Sequence, residues 1–142
     1  MILKDSYIGV IVTGRELRNS YNRVIGFDAK IRFLKNYFLA LQTIGSWTKE
    51  PNDTTLTANY SDFIFYRDYT SAFDGESFSG MAYRLRFSRW ARHWQFNTWY
   101  KDCSPTFRAD DGFISSNNYR NVGCWTGYEI RPNKWMVEMF KP

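Results

Sequence analysis

The feature that most constrains this chain is a strict alternation of apolar and polar residues, which is clearest between positions 25 and 33. Side chains of a β-strand point alternately to opposite faces, so a period of two predicts a strand with one apolar and one charged face. The apolar face would carry Ile25, Phe27, Ala29, Ile31 and Phe33, and the charged face Asp28, Lys30 and Arg32. In water the apolar face needs a core, whereas in a bilayer it can meet hydrocarbon while the charged face lines a wet lumen.

The same alternation predicts seven strands along the chain, at 7–13, 23–33, 38–48, 80–88, 94–101, 121–131 and 135–140. The segment 62–69 is expected to extend a strand or to form an extra hairpin. Connections alternate between long ones (14–22, 49–78 and 103–118) and short ones (34–37, 89–93 and 132–134), with Asn36 as the turn residue of the first short one. In a meander this places long loops on one rim and short turns on the other, as in outer-membrane barrels.

Composition is compatible with that interpretation. Aromatic residues make up 20% of the chain, and several fall at strand ends, where interfacial girdles of a membrane barrel would lie. Mean hydropathy is -0.51 and no run of about 18 apolar residues occurs, so no transmembrane helix is expected. Alternating strands average to a neutral hydropathy, and the low value is therefore compatible with a barrel.

We therefore predict an all-β fold: an antiparallel up-and-down meander that forms a partial transmembrane β-barrel of about six to eight strands. The whole chain, 1–142, is expected to be one segment of a C-terminal barrel domain. Bacterial barrels have an even strand count and no open edge, so a seventh strand near the end suggests a piece of a larger barrel. The start of the chain lacks the features of a signal peptide, which favours the same expectation.

Charge and cysteine content argue against a nucleic-acid-binding protein and against a disulfide-stabilised fold. The net charge is +5, but the basic residues are scattered singly over strands and turns, so no nucleic-acid partner is expected. Two cysteines cannot define a disulfide framework, and Cys103 and Cys124 are expected to lie too far apart along their strands for a bond.

Five stretches resemble the C-terminal barrel region of the DUF5916 family: Asp5–Val10, Tyr21–Asp28, Leu34–Tyr37, Tyr100–Ile114 and Asn118–Arg120. The resemblance covers most of the chain apart from the loop at 49–78. It implies a protein of the Gram-negative outer membrane, often with an N-terminal module similar to family 9 carbohydrate-binding modules. It implies no established chemistry.

Catalytic motifs are weak. The one histidine, His93, lies in a predicted turn, and no Gly-x-Ser-x-Gly elbow occurs. Asp110-Asp111-Gly112 lacks the further ligands of a calcium loop and is interpreted as a turn. Asp28 and Glu129 alternate with basic residues along their strands, which favours a role in ion pairs over a role in acid–base catalysis. We expect no catalytic, cofactor-binding or metal site in this segment, and whether the parent protein is an enzyme stays open.

The basic residues that share the polar face are the one constellation with a functional interpretation. They are Lys30, Arg32, Arg84, Arg86, Lys101 and Arg131. Fixed positive charge in a pore favours anions, whereas pairing with Asp28, Glu129 and carboxylates of further strands would fill a plugged lumen.

Two functions follow from this pattern. The first is an outer-membrane barrel segment with a channel, transport or surface-scaffold role, linked to glycan binding or breakdown through the N-terminal module that the resemblance implies. Its expected partners are the lipid bilayer and a glycan or small solute. The second is a soluble lipocalin-like barrel that binds an apolar ligand. In that barrel the apolar residues of the same strands would face the interior and the charged residues the solvent.

Overall fold

The computed structural model describes residues 5–59, 62–112 and 116–130. Within these ranges the chain contains eight strands and one 3-10 helix, Thr54–Thr57. The strands are β1 (Tyr7–Leu17), β2 (Ser20–Phe33), β3 (Tyr37–Lys49), β4 (Ile64–Tyr66), β5 (Tyr69–Thr70), β6 (Ser77–Arg89), β7 (Trp94–Cys103) and β8 (Tyr119–Tyr128). The described residues contain no helix long and apolar enough to cross a membrane.

Six of the strands form one antiparallel sheet in the order β1-β2-β3-β6-β7-β8, and β4 and β5 form a separate small hairpin. The predicted all-β antiparallel meander is therefore confirmed, and 62–69 contributes the expected extra hairpin. Among the described residues β1 and β8 have no strand on their outer side, so the described sheet is open. The predicted strand 135–140 and the turn 132–134 lie outside the described residues.

The prediction of a long connection at 14–22 is wrong. The β1–β2 ladder continues to the pair Leu17 and Ser20, so only Arg18 and Asn19 form the turn. Asn19 adopts a left-handed conformation with φ 63°, which Asn tolerates better than most residues. Arg23 Nε also donates to Glu16 Oε1 at 2.6 Å, which ties the two strands together where a loop was expected.

The turn between β2 and β3 also differs in detail from the prediction. Leu34 and Lys35, rather than Asn36, adopt left-handed conformations, with φ 45° and 62°. Asn36 instead donates its amide to the Leu34 carbonyl at 2.7 Å. Because Phe33 pairs with Tyr37, only residues 34–36 are left to form the turn. In so short a turn Leu34 and Lys35 adopt positive φ angles, although neither is a glycine.

The strand register sorts the sheet into two faces of opposite character, because paired residues of an antiparallel sheet share a face. We call the face with Lys30, Gln42 and Arg84 the polar face, and the face with Ile25, Leu41 and Leu85 the apolar face. The two free cysteines lie on opposite faces, since Cys103 follows Lys101 and Cys124 pairs with Thr98. Their predicted lack of a disulfide is confirmed.

Burial is inverted relative to an ordinary soluble domain. All ten buried strand residues lie on the polar face, and half of them are polar: Ser20, Asn22, Ser46, Thr48 and Ser88. The other five are Val24, Gly26, Phe78, Gly80 and Cys103. On the apolar face, Ile8, Val10 and Val12 are each about 70% exposed. Soluble proteins normally bury such residues and expose polar ones. The chain therefore packs on its polar face and leaves its apolar face bare within the described residues.

The packing on the polar face comes from the connection between β7 and β8. Its residues 104–108 cross the start of β6, where Gly80 faces them. A Cβ at Gly80 would overlap backbone atoms of Thr106 and Phe107, so this crossing needs a glycine. Thr106 Oγ1 also donates to the Ser79 carbonyl at 2.6 Å and holds the crossing in place.

Aromatic rings gather at the short-turn end of the apolar face. Phe87 lies 6.3 Å from Phe33 and 5.1 Å from Phe96, measured between ring centroids. Tyr37 stacks on both Phe33 and Phe87. The Arg89 guanidinium lies over the rings of Tyr37 and Trp94, at 5.5 and 5.1 Å. This end of the face therefore combines large rings with a cation, unlike its aliphatic middle.

Replacing Gly80 by Ala should destabilise the fold by about 2 kcal/mol, because the new methyl group collides with backbone that cannot turn aside. Gly14→Ala is the matched control, since its Cβ would meet the nearest atom, the Asn22 carbonyl oxygen, at an ordinary 3.8 Å. Urea unfolding in detergent micelles measures both variants. Equal losses for the two would contradict the close crossing at Gly80.

Candidate functional site

The basic residues of the polar face lie in two neighbouring rows of paired residues. One row runs across four strands through Asp28, Gln42, Arg84 and Lys101. The next row contains Lys30, Ala40 and Arg86. A cleft of about 180 Å³ lies between the rows and is lined in part by Asp28, Gln42, Arg84 and Arg86. The structure therefore brings Lys30, Arg84, Arg86 and Lys101 together on one surface.

Arg32 lies at the edge of this group and has its own partners. It pairs with Asp5 at 2.5 Å between Nη1 and Oδ2, and its Nε donates to the Lys35 carbonyl at 2.7 Å. Lys30 and Arg32 also flank the ring of Phe38, at 5.6 and 5.4 Å from its centroid. Arg131 lies outside the described residues.

The four central cations carry uncompensated charge. None of the ion pairs within the described ranges involves Lys30, Arg84, Arg86 or Lys101. Arg84 and Arg86 are exposed. The Asp28 carboxylate lies over the Cα of Gly9, where a side chain would collide with it, rather than in an ion pair with these cations. The polar face therefore presents a positive surface in its middle.

A second group of polar side chains lies at the other end of this face, below the long connections. We call Asn22, Ser46, Thr48, Glu50, Arg108 and Asp110 the loop anchor. Asn22 and Ser46 are 2% and 1% exposed, so each needs internal partners. Asn22 Nδ2 donates to Thr48 Oγ1 at 2.8 Å and to the Arg108 carbonyl at 3.0 Å.

Backbone groups of the crossing segment complete these hydrogen bonds. The Asp110 amide donates to Asn22 Oδ1 at 2.9 Å, and the Arg108 amide donates to Ser46 Oγ at 3.2 Å. The backbone amides of this segment have no partner strand, so side chains of the sheet accept their hydrogen bonds instead. This arrangement fixes residues 108–110 over β2 and β3.

Arg108 is the ionic centre of the loop anchor. Its Nη1 donates to Glu50 Oε1 and its Nε to Asp110 Oδ1, both at 2.7 Å. Arg15 approaches the other Asp110 oxygen at 3.5 Å. The guanidinium also lies 5.3 Å from the ring centroid of Phe73. One arginine thus joins the β3 end, the crossing segment and the 50–76 loop.

Glu50 is the most perturbed group in this site. Its side chain is 3% exposed, and burial raises its pKa from 4.5 to about 7, despite the opposing effect of Arg108. Glu76 and Asp74 add to the rise by repulsion. Oxygens of Glu50, Asp74 and Glu76 lie within 4.8 Å of one another, and carboxylates so arranged can ligate a hard divalent cation.

Next to the loop anchor is a cleft of about 360 Å³ with mostly apolar walls. Phe63, Phe65, Phe73, Phe78 and Phe107 contribute rings to it, and Glu50 and Arg108 line its polar side. The β4–β5 hairpin lies against it, since Phe65 packs edge-on to Phe78 at 5.7 Å. The 50–76 loop is therefore folded back against the sheet.

The sequence interpretation missed the loop anchor as a unit. It assigned Asn22 to a loop, and Glu50, Arg108 and Asp110 to connecting segments. One signal was present: Ser20 and Asn22 continue the parity of Asp28 and Lys30, so β2 could have been extended backward. Contacts of Arg108 with residues 58 positions away carry no local pattern.

Comparison with known proteins gives no relative. No family model, no curated protein and no solved structure matches the chain. The resemblance to the DUF5916 family, and the carbohydrate-binding companion module that it implies, therefore stay predictions.

Replacing Arg108 by Met should destabilise the chain by about 3 kcal/mol at pH 8, because Glu50 is left buried without its counter-ion. Arg120→Met is the control, since the Arg120–Asp102 pair is exposed on the arginine side, is screened by solvent and should contribute little to stability. Denaturant unfolding in micelles gives both values. A loss at Arg108 no larger than the loss at Arg120 would refute the anchoring role.

The pKa of Glu50 predicts a pH dependence of stability. The folded chain holds a proton up to about pH 7 that the unfolded chain releases near 4.5. The resulting stabilisation is complete below pH 4.5 and is lost as pH rises through 7. Glu50→Gln should remove this slope between pH 5 and 8 in buffer with EDTA. Parallel stability curves for the variant and the parent chain would contradict the assignment.

Proposed function

We propose that this chain forms part of the wall of a transmembrane β-barrel in a bacterial outer membrane. In this arrangement the apolar face meets acyl chains and the polar face lines a wet lumen. The observation that carries the proposal is the inverted burial: the chain folds its own connection over the polar face and leaves the apolar face uncovered. Such a sheet is costly in water, because burial of apolar area is the main stabilising effect there.

The outline of the apolar face supports a tilted crossing. On β2 the face becomes charged at Arg23, but on β7 it becomes charged at Asp102, which lies level with Phe27 in the register. The boundary thus shifts by four residues over the three strand-to-strand steps from β2 to β7. With about 3.3 Å per residue and about 4.8 Å between strands, this corresponds to a tilt of about 42°, within the range of barrels.

The height of the face supports the same arrangement. On β2 the apolar face runs from Ile25 to Phe33, nine residues. At about 3.3 Å per residue and a tilt of about 42° this spans about 22 Å, near the apolar band of outer-membrane barrels. Tyr21 and Trp47 border it at one end and the Phe33–Phe96 ring group at the other, in the positions of aromatic girdles.

Loop lengths support one orientation. The connections 50–76 and 104–118 leave the same end of the sheet, and the turns 34–36 and 90–93 leave the other. Outer-membrane barrels have their long loops outside the cell. The two-residue turn at 18–19 departs from this asymmetry. In this orientation the loop anchor lies at the outer mouth of the lumen.

The lumen itself carries the positive surface formed by Lys30, Arg84, Arg86 and Lys101. Fixed cations in a wet pore attract anions, so anionic solutes are the class that this wall favours. The segment fixed by Arg108 covers the polar face near the outer mouth and narrows access to it. A role in passage or in presenting the surface loops is compatible with both features.

The soluble lipocalin-like alternative has less support. It requires the apolar face to be the inner one, with the polar face in bulk water. The buried residues Asn22 and Ser46 lie on the polar face, under the chain's own connection. An apolar interior would leave that connection on the outside of the barrel, with no reason to bury polar groups beneath it.

The test compares two arginine substitutions on neighbouring residues of opposite faces. Leu41→Arg should cost about 2–4 kcal/mol of folding free energy in lipid bilayers, and Gln42→Arg less than about 1 kcal/mol, because only the first faces hydrocarbon. Folding is followed by heat-dependent gel mobility and tryptophan emission in the full chain with bilayers, and in buffer without detergent. Equal costs, or a stable monomer in buffer, would overturn the proposal.

A further inference from the structure

Three carboxylates converge where the 50–76 loop leaves and re-enters the sheet. Glu50 follows β3, and Asp74 and Glu76 precede β6, with one oxygen of each within 4.8 Å of the others. The backbone holds them in place: the Glu50 amide donates to the Glu76 carbonyl at 2.9 Å, and Asn52 pairs with Asp74. Gly75, at φ 89°, turns the chain between Asp74 and Glu76.

The surrounding charges do not neutralise this cluster. The connected network holds four carboxylates (Glu50, Asp74, Glu76 and Asp110) and two guanidinium groups (Arg15 and Arg108). Four negative and two positive groups leave a formal charge of −2. A single dication would balance it.

A buried oxygen next to the cluster also lacks a partner. Glu50 is 3% exposed, and while Oε1 accepts from Arg108, Oε2 has no hydrogen bond within the described residues. The Thr70 hydroxyl is also buried without a partner there, and its amide donates to Glu76 Oε2 at 3.0 Å. A buried carboxylate oxygen without a donor is costly, and a bound cation would remove that cost.

We propose that Glu50, Asp74 and Glu76 form a calcium site that closes the base of the 50–76 loop. Oxygens that all lie within 4.8 Å of one another can share one cation. Ca²⁺ tolerates an irregular ligand set completed by water, whereas Mg²⁺ demands near-ideal octahedral geometry, so this loop-built cluster suits Ca²⁺ better. The site does not depend on which solvent the apolar face meets.

The site is tested by calorimetric titration of the full chain in detergent micelles with CaCl₂ and, separately, with MgCl₂. Ca²⁺ should bind at about millimolar concentration or tighter, and should raise the unfolding temperature more than Mg²⁺ does. Asp74→Asn and Glu76→Gln should each weaken Ca²⁺ binding by about tenfold or more, because affinity depends on the number of charged ligands.

Asp68→Asn is the matched control, since Asp68 is an exposed carboxylate of the β4–β5 turn in the same loop. It should leave Ca²⁺ binding unchanged. Far-UV circular dichroism confirms that each variant retains its strands. Asp74 is exposed, so its substitution should leave the fold intact. No Ca²⁺ heat or thermal shift up to about 5 mM would overturn the site, as would equal affinities in Glu76→Gln and Asp68→Asn.

Discussion

The structure depends on one constraint: the chain folds its own connection over the long-loop end of its polar face, whereas its apolar face has no such cover within the described residues. The loop anchor imposes this constraint. Asn22 and Ser46 of the sheet hold residues 108–110, and Arg108 joins Glu50 to Asp110. These hydrogen bonds and ion pairs need shelter from water to be effective, which the covered polar face provides. The exposed Val and Ile side chains of β1 receive no such cover within the described residues.

The same constraint connects the three parts of the polar face. At the short-turn end Arg32 is paired, in the middle Arg84 and Arg86 are exposed, and at the long-loop end the anchor is buried. A gradient from accessible cations to a closed network suits a lumen that is wet in its centre and narrowed at one mouth. The proposed calcium site would lie at that mouth and hold the larger loop.

Alternation alone predicted the fold class and most of the strand parity, because period two is local and strong in β2 and β6. It failed at Gly14 to Asn22, where polar residues were interpreted as a loop although their parity continues the ladder. It could not find the loop anchor, since Arg108 and Glu50 meet through the topology and not through spacing. It also gave no preference between lipid and water, because both solvents allow the same alternation. The proposal of a lipid-facing sheet rests instead on the connection that covers one end of the polar face.

The most direct measurement is a nitroxide scan of β2 from Phe27 to Arg32 in bilayers, with Cys103 and Cys124 replaced by Ser. Collision rates with oxygen, which concentrates in lipid, and with a water-soluble nickel chelate would be recorded at each site. The account predicts two opposite period-two patterns, with Phe27, Ala29 and Ile31 accessible to oxygen and Asp28 and Lys30 accessible to nickel. Labels at Phe27 and Ile31 shielded from both reagents, or open to nickel, would contradict it.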